Sequence, residues 1–134
     1  MNLSSQIFRR RRRALHDAHP EACFVVRGAD LRYLTGCAET GARAILSPKQ
    51  DRLYVERKAD DALWRGEAPS LETLAEAGQL DAVSTLGAFA ADLLGSLRGA
   101  RELHYRLGSD DDGQVVAALE AHARAKHRRG MGLL

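Results

Sequence analysis

Ala42-Arg43-Ala44-Ile45-Leu46-Ser47-Pro48-Lys49-Gln50-Asp51-Arg52-Leu53-Tyr54-Val55-Glu56 is the stretch on which the fold turns. Two short runs with strand-forming residues, Ala42 to Leu46 and Arg52 to Glu56, flank a separator that carries a proline and small polar residues. That separator is a turn signal, so the stretch reads as a β-hairpin. Upstream, Cys23-Phe24-Val25-Val26 is a run of strand formers ended by Gly28. A second run, Leu31 to Thr35, stops at Gly36. Before them Leu3, Ile7, Phe8, Ala14, Leu15 and Ala18 recur at helical spacing. They predict a first helix, with Ser4 or Ser5 as N-cap, running to about Ala18 and closed by Pro20.

Downstream of the hairpin the period becomes helical. Ala59 to Trp64 predicts a short helix ended by Gly66, and Leu71 to Ala77 another, capped by Ser70 with Gly78 at its end. Val83 seeds a brief strand. Leu86, Phe89, Ala90, Leu93, Leu94 and Leu97 form the strongest amphipathic stripe of the chain, stopped by Gly99. Leu103 to Leu107 alternates as a half-buried strand. A last helix is expected from Asp110 to about Arg128, with Val115, Val116, Leu119, Ala123 and Ala118 facing inward. Strands alternating with helices after an early hairpin predict one α/β domain over residues 1–134, built on a mixed sheet flanked by helices.

Composition agrees with that size. The 134 residues are 45% hydrophobic and 28% charged, the balance of an ordinary globular domain, which excludes a disordered chain. The net charge of +2 hides an asymmetry, since five arginines form one run, Arg9 to Arg13. Without them 15 basic residues face 18 acidic ones. Two cysteines, Cys23 and Cys37, are too few for a disulfide framework and belong to no four-ligand Cys/His cluster, which suits a reducing, cytoplasmic setting. The longest wholly apolar runs fall far short of the roughly 20 residues that span a bilayer. No membrane association is expected.

Few motifs carry chemistry. No glycine-rich phosphate loop, nucleophile elbow or paired-histidine helix motif occurs. His16 and His19 share a helix face but sit in its final turn, where the dipole favours cations, and no convincing set of further ligands accompanies them. His104 lies in a predicted strand, half-exposed or hydrogen-bonded. Ser109-Asp110-Asp111-Asp112-Gly113 resembles a calcium loop, yet Gly108 and Leu119 would fall at its first and last ligand positions. Helix capping by Ser109 or Asp110 accounts for it better.

Five consecutive arginines point all around a helix, so one or two must lie beside the buried stripe. Only Phe8 is an aromatic neighbour, and it falls on the apolar face. The run therefore reads as a solvated helix with some arginines paired to acids of the sheet layer, ahead of a nucleic-acid arm. Trp64, the only tryptophan, follows two acids and precedes Gly66 at a helix end. It is either a plug at the edge of the core or an exposed anchor for a partner or substrate.

Together, Phe8-Arg9-Arg10 with Leu15, the strand ending at Gly28, Arg32-Tyr33-Leu34-Thr35-Gly36, the strand Ala42 to Pro48, and the acid-rich segment ending in Trp64-Arg65-Gly66 resemble the N-terminal domain of the creatinase and Xaa-Pro aminopeptidase family. The resemblance covers roughly Phe8 to Arg128. Two departures stand out: only Gly28 to Arg32 separate the first strand from Tyr33, and Cys37-Ala38-Glu39-Thr40-Gly41 keeps the family's Glu without the proline common after it.

The resemblance implies a creatinase N-terminal fold with a ribonuclease H-like motif. It implies no catalytic residue and no metal ligand in this chain. Two divalent ions, commonly manganese, would be held by Asp, His and Glu of a C-terminal pita-bread catalytic domain, the expected partner on the same polypeptide, for which 134 residues leave no room. There they would activate a bridging water to remove an N-terminal residue preceding proline. The N-terminal domain would shape the substrate entrance and make contacts in a homo-oligomer, with Trp64 lent to a neighbouring active site as a substrate-binding residue. The alternative is a stand-alone adaptor or oligomerisation module of the same fold without a peptidase partner. A nucleic-acid binder acting through Arg9 to Arg13 ranks below both.

Overall fold

Residues 22 to 25 set the architecture by simple alternation. Ala22 and Phe24 are buried against one face of a sheet, Cys23 and Val25 against the other. Such two-faced burial requires helices on both sides. In the computed structural model, which describes residues 3–57, 70–105, 117 and 119–121, the sheet has five strands. They are β1 (Ala22–Arg27), β2 (Arg43–Leu46), β3 (Asp51–Val55), β4 (Ala82–Thr85) and β5 (Glu102–Tyr105). Their order across the sheet is β4-β3-β2-β1-β5. The β1–β2 and β2–β3 pairs are antiparallel, while β1–β5 and β3–β4 are parallel. The expected mixed α/β sheet is present.

The hairpin is β2–β3, with Ala44 opposite Leu53 and Leu46 opposite Asp51. Its turn is closed by the Ser47 amide donating to the Gln50 carbonyl at 2.9 Å, with the Ser47 hydroxyl donating to the same oxygen at 2.8 Å. Helices α1 (Leu3–Ala18), α2 (Gly28–Thr35) and α3 (Leu71–Gly78) cover one face, over a core of Phe24, Leu31, Leu34, Ala44, Leu46, Leu53 and Val55. On the other face a 3-10 turn (Leu86–Ala88) leads into α4 (Phe89–Leu97), whose Phe89, Leu93 and Leu97 pack on Cys23, Val25, Ile45 and Tyr54. Of the stripe predicted for this helix, Phe89, Leu93 and Leu97 form the core's second half, Leu86 and Leu94 are half-buried, and Ala90 is exposed. Ser70 caps α3 as expected, its hydroxyl accepting from the Thr73 amide at 3.1 Å.

Four expectations change. Helix α1 already begins at Leu3, so Ser4 and Ser5 lie within it and neither is its N-cap. The run Leu31 to Thr35, read beside the first strand, is the second half of helix α2. Leu31, Leu34 and Thr35 are its buried residues, a spacing of three and four that suits a helix and leaves Tyr33 58% exposed. Gly36, at φ 78°, ends it in the left-handed conformation, its amide donating to the Arg32 carbonyl. Ile7, counted in the apolar stripe of α1, is exposed, as are Ala14 and Ala18. Leu119 is 40% exposed instead of facing inward. Val115, Val116, Ala118 and Ala123 of that last helix, the short helix from Ala59 and Trp64 lie outside the described residues. No helix among the described residues is long and apolar enough to cross a membrane.

Candidate functional site

Arg12 is the fulcrum of the covered face. Its place on α1 turns it from solvent onto the seam between α2, β3 and α3, where it is only 2% exposed. A buried guanidinium is tolerable only if its donors and charge are met. Here Nε donates to Asp51 Oδ2 at 2.9 Å, Nη1 to the Leu34 carbonyl at 2.9 Å, and Nη2 to the Gln79 carbonyl at 2.6 Å. The Asp51 carboxylate's other oxygen lies 2.7 Å from His16 Nε2. Asp51 is in turn held to Asp81, whose carboxylate accepts from the Asp51 amide at 2.7 Å. One side chain therefore ties α1 to α2, β3 and α3.

Its neighbours in the arginine run act differently. Arg11 donates to the Tyr33 carbonyl at 2.9 Å and lays its guanidinium 4.1 Å from the centroid of the Tyr33 ring. Arg9 reaches Gln79 Oε1 at 3.4 Å. A cleft of about 590 Å³ opens between α1, the β2–β3 turn and α3. Arg9, Arg13 and Lys49 line it, but so do Glu76 and Asp81, so its charge is mixed, and its Ser47 hydroxyl is engaged in the β2–β3 turn with Gln50. The expectation that part of the run pairs with acids of the sheet layer is met by Arg12 and Asp51.

A second polar cluster follows the Tyr33-Leu34-Thr35-Gly36 segment. Arg57 and Glu39 form a two-pronged ion pair, Nη1–Oε1 at 2.7 Å and Nη2–Oε2 at 3.1 Å. The Cys37 thiol beside them is pushed up in pKa by burial, and Cys23 is pushed up to about 12 for the same reason. Both are protonated at neutral pH and unsuited to act as nucleophiles. On the opposite face the Tyr54 hydroxyl donates to Asp92 Oδ2 at 2.6 Å, with Arg52 3.2 Å from the same oxygen. Burial, then this carboxylate, raises the Tyr54 pKa. These contacts fasten elements to one another and offer no reacting atom.

The histidines regroup in a way their spacing does not foretell. His16 belongs to Asp51, whereas His19, just beyond α1, meets β5. His19 and His104 have ring centroids 5.1 Å apart, and His104 Nε2 lies 3.1 Å from Glu102 Oε2. Glu102 and His104 share a strand face by alternation, but their proximity to His19 comes only from the parallel β1–β5 pairing, which sets Phe24 opposite His104. The one sequence signal was the pair Glu102 and His104, two apart in an alternating run. Trp64, the single residue expected to touch substrate, lies outside the described residues.

Comparison with known proteins gives a consistent result. Residues 27–105 match the family described as aminopeptidase P, N-terminal domain. No curated protein matches the sequence. Among solved structures, the fold is similar to aminopeptidase PepP of Pseudomonas aeruginosa, with a TM-score of 0.77 and 23% identity over 96% of this chain and 35% of that one. It is similar to the low-pH form of Escherichia coli aminopeptidase P, with a TM-score of 0.75 and 22% identity over 98% of this chain and 36% of that one. It is also similar to the same enzyme with the inhibitor Pro-Leu, with a TM-score of 0.73 and 20% identity over the same shares. The chain thus spans about a third of the length of the structures it matches.

Proposed function

The chain belongs to the aminopeptidase P N-terminal domain family, and from that premise we propose that it is the non-catalytic N-terminal domain of a Xaa-Pro aminopeptidase-like metallopeptidase. Its work is to shape the substrate entrance and to make subunit contacts for a catalytic domain that follows it on the same polypeptide. The observation that carries this reading is the coverage. Nearly all of this chain superposes on a portion amounting to about 35% of an aminopeptidase P chain.

The side chains support a scaffolding role. Arg12 ties helix α1 to the start of β3 through Asp51, and the Arg57–Glu39 pair joins the segment after β3 to the one before β2. The buried thiols are held neutral. The two divalent ions, manganese by resemblance, would be held by Asp, His and Glu side chains of the catalytic domain and would supply the activated water there. This chain's part is steric and electrostatic. Trp64 would be its one direct contribution to substrate, presented to a neighbouring subunit's entrance.

Three observations test the reading. The purified chain, given Mn²⁺ and a Xaa-Pro peptide, is expected to release no N-terminal residue, and turnover would overturn the non-catalytic assignment. The reading frame downstream of Leu134 is expected to continue into Asp, His and Glu ligand motifs. A natural stop codon there would favour the stand-alone adaptor. Tryptophan fluorescence tests the role of Trp64, since a partner-facing indole is quenched by acrylamide in the isolated chain and a core plug is not.

A further inference from the structure

Among the described residues, one group of three side chains has the composition and spacing of a metal site: His19, Glu102 and His104, whose ligand atoms all lie within 4.8 Å of one another. We propose that these three side chains bind a divalent transition-metal ion of the zinc type, through two imidazoles and one carboxylate, with water completing the shell. The ion would join the turn after α1 to β5, which lies at the edge of the five-stranded sheet.

The argument starts from the backbone. His19 is held in its turn by its amide donating to the Leu15 carbonyl at 3.1 Å and its carbonyl accepting from Ala22 at 3.1 Å. Glu102 and His104 project from one face of β5, whose register against β1 pairs Ala22 with Glu102 and Phe24 with His104. The start of β5 is fixed further by the Arg101 amide donating to the Glu21 carbonyl at 2.8 Å. All three ligands therefore stand on hydrogen-bonded backbone, so little conformational freedom is lost when an ion arrives.

The rings are positioned as well. Phe24, buried beneath the cluster, stacks on His104 with centroids 4.8 Å apart and meets the edge of His19 at 5.8 Å. It restricts both imidazoles to the space above one ring. Ligand atoms on a tetrahedral zinc ion sit about 3.3 Å apart, as bond lengths near 2 Å require. The Glu102–His104 pair is already at 3.1 Å. The remaining closure is a rotamer adjustment of exposed side chains.

Chemistry selects the class of ion. Imidazole nitrogen with a single carboxylate favours zinc, copper, nickel or cobalt, whereas calcium and magnesium prefer oxygen-rich shells. Without an ion the cluster is a surface contact between His104 and Glu102, an arrangement that contributes little to stability. Two histidines from separate elements converging on one carboxylate exceed what such a contact requires.

The test uses the 134-residue chain and Zn²⁺ alone. Thermal melting in Zn²⁺ at about a hundredfold excess over its dissociation constant is expected to rise by roughly 5–10 °C, with equal Mg²⁺ or Ca²⁺ giving no shift. Replacing the ion with Co²⁺ should give the visible absorption of a low-coordinate cobalt site. His19→Ala, His104→Ala and Glu102→Gln should each weaken Zn²⁺ binding by at least about tenfold. His122→Ala/His127→Ala should leave it unchanged. No Zn²⁺ shift together with no Co²⁺ spectrum overturns the proposal, and so does binding that survives the first three variants or is lost in the last. Because the three side chains are exposed, the metal-free melting temperatures of the variants should match that of the parent.

Discussion

Replacing Arg12 with methionine removes the most heavily used side chain in the domain while keeping its aliphatic bulk. Three consequences follow at once: Asp51, with its side chain 16% exposed, loses its buried cation, and the carbonyls of Leu34 and Gln79 lose their donors. Breaking one partner of a buried ion pair costs about 3–5 kcal/mol, and a dry unsatisfied carbonyl about 1–3 kcal/mol more. Two features pull toward the low end. His16 Nε2 still lies 2.7 Å from Asp51, and the adjoining cleft can admit water to the Gln79 carbonyl. The expected loss is therefore about 3 kcal/mol, or on the order of 10 °C in melting temperature for a domain of this size. Urea unfolding measures it directly, with Arg10→Met, at an exposed position two residues away, as the control expected to stay within about 0.5 kcal/mol. Arg12→Lys keeps the charge but cannot present a planar fork to three acceptors, so it should lose roughly half as much. If Arg12→Met destabilises no more than Arg10→Met, the picture of Arg12 as the tie between α1, α2, β3 and α3 is wrong.

Two further perturbations probe the same frame. Gly36→Ala should cost about 1–3 kcal/mol in urea unfolding, because φ is 78° and a Cβ there would lie 2.5 Å from Phe8 Cε2. Pairing it with Phe8→Leu should recover only the steric part, and full recovery would mean that backbone strain contributes nothing. Stability should fall above about pH 9, where an exposed thiol ionises in the unfolded chain while Cys23 stays protonated until about pH 12. The pKa is raised by folding, so the contribution is complete below pH 9 and is lost as the pH climbs. The slope is about 1.4 kcal/mol per pH unit for that thiol, and Cys23→Ala should remove that share of it. An unchanged slope in the variant would assign the alkaline loss to other groups.

Much of the fold was legible because its strands carry local punctuation. The hairpin announced itself through Ser47 and Pro48, and α3 through Ser70, whose hydroxyl does cap it. Leu31 to Thr35 was misplaced because five residues are too few for a period to declare itself. The helix began earlier, at Gly28, where Gly28-Ala29-Asp30 offers only the small Ala29 as an apolar mark. Ile7 and Leu119 failed for a different reason: helical spacing says which residues share a face, and only the neighbouring element decides whether that face is covered.

The arginine run shows where sequence reasoning about a site stops. Geometry around a helix required that one or two of the five turn inward, and it suggested an acid of the sheet layer as partner. It could not say that the inward residue would be Arg12. That outcome depends on α2 and α3 offering the Leu34 and Gln79 carbonyls at the spot where β3 begins with Asp51. The histidines are the converse case. His16 and His19 looked like a pair, but Asp51 takes the first and β5 takes the second, because the parallel β1–β5 pairing delivers His104 and Glu102 to the turn after α1. Parallel pairing joins residues about 80 positions apart and leaves no mark in either segment. A ligand set assembled across it is invisible to any reading that works by local spacing, and it becomes visible once register is known.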